Sequence, residues 1–172
     1  MARRAEKRAG RVLKDLGIRN PPVDVEEVAS RLDIETKRIE LPNDCSATLV
    51  RQGDLAVIGV NRFHHPNRQR FSIAHEIGHH QLHKGGRYID KSTSVQFRNH
   101  ESGTGTKQEE IEANQFAAAL LMPASWVRRE FKKLVFDLGD DSALQALCEK
   151  FQVSSQAMTF RLVNLRLLDS SA

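Results

Sequence analysis

Apolar residues recur at helical spacing at the start of the chain, where Ala5, Ala9, Val12, Leu13 and Leu16 predict an amphipathic helix that Gly17 ends. Asn20-Pro21-Pro22 marks a turn. Val23 to Leu32 then predicts a short helix with Val25, Val28, Ala29 and Leu32 on one side. Asp24, Glu26 and Glu27 occupy its first turns, where negative charge favours the helix dipole. After it the period changes to two. Ser46 to Gln52, a Gly53-Asp54 turn and Leu55 to Asn61 read as a β-hairpin whose second arm is apolar enough for an inner strand.

A polar loop, Phe63 to Gln69, precedes a predicted helix over Arg70 to Lys84 that Gly85-Gly86 stops. Residues 87–106 carry the least pattern and read as a long loop, a candidate lid. Thr106 to Leu121 predicts a further helix, ended by Met122-Pro123. Helical patterns follow at 124–137 and 142–168, the second broken near Gln152-Val153-Ser154. This order predicts an α+β fold with a small antiparallel sheet followed by C-terminal helices. The expected division is a domain over 1–123 and a helical segment over 124–172 that resembles a helix-turn-helix.

Composition narrows the class. With 172 residues, 40% hydrophobic and 28% charged, the chain can bury a real core, which excludes whole-chain disorder. No run approaches the 18 or more apolar residues of a membrane helix, and the N-terminus lacks the apolar stretch of a secretory signal. Two isolated cysteines, Cys45 and Cys148, offer neither a disulfide framework nor a thiolate metal site and fit a cytoplasmic setting.

A net charge of +4 suggests a nucleic-acid partner, but its placement weakens that reading. Residues 1–14 carry a net +5 and the other 158 a net −1. The basic helix is expected to present a solvated face. In the C-terminal pair, Leu144, Leu147, Val153, Met158, Leu162 and Leu165 form the apolar set. The second helix is expected to expose Arg161 and Arg166, too few cations for strong phosphate neutralisation, so direct DNA binding is disfavoured.

Six of the seven histidines lie between positions 64 and 83, and His75-Glu76-Ile77-Gly78-His79 is an HExxH motif. At i and i+4 on a helix, His75 and His79 leave the same face one turn apart and can grip one metal ion. Glu76 lies beside that face as a base for metal-activated water. A bare HExxH arises by chance in roughly 2% of chains of this composition, so context must decide. Phe71, Ala74, Gly78 and Leu82 make an apolar stripe beside the histidines, and Gly78 suggests that another backbone packs close by.

The third ligand is expected from 107–121, because no third histidine follows at position 85. Glu109 completes a capping box with Thr106. Glu110 is read as solvated, on the face opposite Phe116. Glu112 shares an apolar face with Phe116 and Ala119, where a metal would offset the cost of burying a carboxylate. Glu112 is therefore favoured over Glu109.

The blocks Arg70-Phe71-Ser72-Ile73-Ala74-His75-Glu76-Ile77-Gly78-His79 and Glu112-Ala113-Asn114-Gln115-Phe116, running on to Leu120-Leu121-Met122-Pro123, resemble the ImmA/IrrE family of metallo-endopeptidases. The resemblance implies a zincin-like fold and one zinc ion, with manganese as the alternative. By motif position it implies His75, His79 and Glu112 as ligands and Glu76 as base. It also implies a helix-turn-helix repressor as the protein substrate, cleaved to relieve repression of stress, phage or mobile-element genes. The rival expectations are a DNA-binding regulator and a repressor-sequestering protein with a silent metal site. Tyr88 is a candidate oxyanion stabiliser, with His83 and His100 as others, and the strand Leu55 to Val60 a candidate for holding extended substrate.

Overall fold

The computed structural model describes residues 2–83, 88–90, 107–137 and 140–168. Helix α1 (Ala2–Asp15) buries Ala5, Ala9, Val12 and Leu13, and Gly17 takes a φ of 71° just beyond its end, where a side chain would be strained. Helix α2 (Val25–Ser30) is capped by Asp24, whose carboxylate accepts from the amides of Glu26 and Glu27 at 3.0 Å each.

Strands β2 (Ala47–Gln52) and β3 (Leu55–Asn61) form the expected antiparallel hairpin, Ala47 opposite Val60 and Gln52 opposite Leu55. The sheet is larger than the hairpin and is mixed, which corrects the antiparallel expectation. Strand β1 (Ile34–Ile39) runs parallel to β3 from Ile34 opposite Ala56 to Ile39 opposite Asn61. Strand β4 (Tyr88–Asp90) pairs antiparallel with β2, so the order is β1-β3-β2-β4. Strand β1 has only Ile34 buried, and Glu35, Lys37 and Arg38 make it read as polar, as edge strands often do.

Helix α3 (Pro66–Leu82) starts four residues before the expected Arg70. Pro66 has no amide to leave unsatisfied at this first position, and His65 Nδ1 accepts from Asn67 N at 3.2 Å. Helix α4 (Lys107–Leu121) lies between α3 and α1. Helices α5 (Ala124–Asp137), α6 (Asp140–Phe151) and α7 (Ser155–Asn164) complete the described fold. Leu147, Phe151, Met158 and Leu162 join the same buried cluster as Ala5, Ile58 and Phe116, so one core runs from α1 to α7.

One expectation for α7 is overturned. Arg161 is 6% exposed rather than solvated. Its Nε donates to the carbonyl of Met122 at 2.9 Å and its Nη1 to Glu6 at 2.8 Å. The apolar surroundings and these two acceptors make it a fastener between α7, the end of α4 and α1.

Candidate metal centre

The site is built by two helices in contact. His75 and His79 leave α3 one turn apart and are each 1% exposed. Their Nε2 atoms lie 2.9 Å apart, with the rings edge to face at 73°. From α4, Glu110 reaches over both: Oε2 lies 3.2 Å from His75 Nε2 and Oε1 3.3 Å from His79 Nε2. One ligand atom from each of the three residues falls within 4.8 Å of the others.

The protonation states suit a cation. Burial pushes His79 down to about 4, despite Glu110, so its ring is neutral at pH 7. Burial pushes the Glu110 carboxyl up, but its contacts with His75 and His79 outweigh this and hold it well below the usual range. His75 Nδ1 lies 3.0 Å from Asn114 Oδ1, so the ring donates there and Nε2 keeps its lone pair. Two imidazoles and a carboxylate are the donor set of a catalytic zinc site, with a fourth position left for water or substrate. The residues therefore fit a divalent metal.

Sequence reasoning placed Glu112 here, and the geometry places Glu110 instead. Glu112 is buried, at 6% exposure, as expected, but its partners lie on the side facing α1. Arg4 Nη1 donates to its Oε2 at 3.4 Å, Gln108 Nε2 to its Oε1 at 3.4 Å, and His83 Nδ1 lies 4.0 Å away. The reason is the crossing of α3 and α4. A Cβ on Gly78 would stand 3.1 Å from Ala113 Cα and O and 3.2 Å from Phe116 Cβ. With Ala113 against Gly78, the neighbouring positions 110 and 114 face the imidazoles and position 112 turns away.

Glu76 is fully buried in the turn that carries His75. Tyr88 falls in β4, with its backbone opposite Leu49, and its side chain lies outside the described residues. So do His100 and the rest of the expected lid. The expectation for Leu55 to Val60 fails, because β3 is an inner strand paired with β1 on one side and β2 on the other, leaving no edge for a substrate chain. Two residues of the candidate site were not favoured from the sequence, Glu110 beside the imidazoles and Asn114 as the partner of His75. Their i, i+4 spacing on α4 was the available signal.

The family described as IrrE N-terminal-like domain, a peptidase family, matches residues 29–163. Among solved structures, a Mycobacterium tuberculosis transcriptional regulator superposes with a TM-score of 0.63 at 20% identity. The match covers 94% of this chain and 46% of the regulator, so the chain spans about half the length of that relative, and the likeness is one of fold. No curated protein matches the chain. Among the described residues, no helix is long and apolar enough to cross a membrane.

Proposed function

The chain belongs to the IrrE N-terminal-like peptidase family, and from that premise we propose that it is a metal-dependent endopeptidase acting on a regulatory protein. The observation that carries the reading is the convergence of His75, His79 and Glu110 beside a fully buried Glu76. A closed structural metal site would need no such base. Zinc suits two imidazoles and a carboxylate, with manganese as the alternative. A bound zinc ion supplies Lewis-acid polarisation of the scissile carbonyl and lowers the pKa of water.

The chain's own residues do the rest. Asn114 fixes the ring of His75, and the packing of Gly78 on Ala113 fixes the distance of Glu110 from both imidazoles. Glu76 accepts a proton from the attacking water and returns it to the leaving amine, so hydrolysis ends with the carboxylate restored. The substrate we propose is a helix-turn-helix repressor, in keeping with the motif resemblance and with the regulator whose fold this chain shares.

The test is cleavage of helix-turn-helix repressors from the same genome by the zinc-loaded protein, followed by mass spectrometry. Glu76→Gln should lower turnover by about 10² to 10⁴ while zinc stays bound. Repressor binding with no cleavage by the wild-type protein would replace this reading with sequestration.

A further inference from the structure

The last carbonyls of a helix have no partner within it, and α3 ends at Leu82. Three guanidinium groups from two other elements converge on that end. Arg51 of β2 donates from Nη2 to the carbonyl of His79 at 2.8 Å, beside the bond that carbonyl accepts from His83 N, and from Nη1 to the carbonyl of His83 at 3.1 Å. Arg4 of α1 donates from Nη2 to the carbonyl of Leu82 at 3.1 Å and from Nη1 to Glu112. Arg8 donates from Nε to Gln81 Oε1 at 3.0 Å. Cations complement the negative end of the helix dipole, but that effect alone needs no particular acceptor.

The acceptors are what matter. His79 is held twice, its ring at the metal site and its carbonyl by Arg51. A shift of this turn along or around the helix axis would carry the imidazole with it. Arg4 spans the two metal-bearing helices, because Leu82 belongs to α3 and Glu112 sits two residues from Glu110 on α4. A guanidinium fork can meet two carbonyls at once, which a lysine ammonium on a flexible stem does poorly.

We infer that Arg51 and Arg4 are positioning residues of the metal centre, a clamp that holds the last turn of α3 so that His79 and Glu110 keep their separation. The inference rests on the metal-centre reading above. It also gives Arg4 of the basic first helix an inward role, where the net charge alone suggested a nucleic-acid partner.

The test uses the full chain and reads metal binding rather than turnover. Zinc affinity is measured by competition with a chromogenic chelator, the Co²⁺ absorption bands report ligand geometry, and the melting midpoint of the metal-free protein reports folding. Arg51→Ala should weaken zinc binding by about ten- to a hundredfold and shift the Co²⁺ bands. Arg51→Lys should recover part of that loss. Arg4→Gln, at a side chain 63% exposed, should lose about tenfold with the metal-free midpoint unchanged. Should Arg51→Ala not fold, Arg51→Lys and Arg4→Gln carry the test. Wild-type affinity and bands in both would overturn the clamp alone. A wild-type protein that bound neither zinc nor cobalt would overturn the metal-centre reading and the clamp together.

Discussion

Asn114 and His75 meet across the α3–α4 contact, with Oδ1 3.0 Å from Nδ1, and this one hydrogen bond decides which ring nitrogen faces Glu110. Partners of this kind tune metal affinity by about ten- to a hundredfold. Asn114→Ala should weaken zinc by that factor in a chelator competition. Asn114→Asp, which still accepts, should stay near wild type, and a loss equal to that of alanine would show that the amide acts otherwise.

Glu110 and Glu112 make a paired comparison. Glu110→Ala should lower zinc affinity by more than about a hundredfold, beyond what a lost supporting partner costs. Glu112→Gln still accepts from Arg4, and its zinc affinity should change by only about a few-fold, within the effect of a lost supporting hydrogen bond. Zinc stoichiometry after dialysis checks both, and the reverse pattern would return the ligand role to Glu112.

Gly78→Ala sets two effects against each other. Helix propensity favours alanine by about 1 kcal/mol, whereas overpacking costs about 1–3 kcal/mol. The obstructing atoms are Ala113 Cα and O, which move only if α4 moves, so strain wins. We expect a net loss of about 1 kcal/mol in urea unfolding and a larger loss in zinc affinity, since α4 carries Glu110.

Glu130 gives the pH dependence. It is 3% exposed, and burial pushes its carboxyl up, but Lys150, Arg129 and Lys133 outweigh that and bring it down to about 2. Because the folded value lies below the unfolded one, the stabilisation is present above about pH 4.5 and is lost as pH falls towards 2. The cations are themselves partly exposed, so we discount the shift to about 1–2 kcal/mol. Glu130→Gln should cost that much at pH 7 and almost nothing at pH 2, by denaturant titration. An equal cost at both would place the effect in packing.

The hairpin, the HExxH helix and the C-terminal helix pair were legible because each writes its period into several apolar residues. Strand β1 was not, since an edge strand with Ile34 as its only buried residue has almost no alternation to show. That Glu110 rather than Glu112 meets the imidazoles was hidden for a different reason. Burial alone does not choose among the glutamates, because α4 is covered by α1 as well as α3 and a buried face need not be the one that meets the imidazoles. Glu110 also lies only about 120° from Phe116 around the helix, at about 100° per residue, and is not opposite it. Gly78 correctly announced a close approach, and reading which residue it meets needed the structure. Arg161 was misread because a single cation in an apolar pattern looks solvated until Glu6 and the carbonyl of Met122 are found beside it.

Glu6 and Arg161 are 155 positions apart in the chain. During synthesis the first helix leaves the ribosome early, yet the residue that fastens it is made long afterwards. Arg4 and Arg8 lie on that same helix, so the last turn of α3 gains its full support only once α7 has emerged. A nascent fragment that ends before α7 therefore carries the HExxH segment with α1 packed on α4 but not yet fastened by Arg161, and that tie is the last to be made.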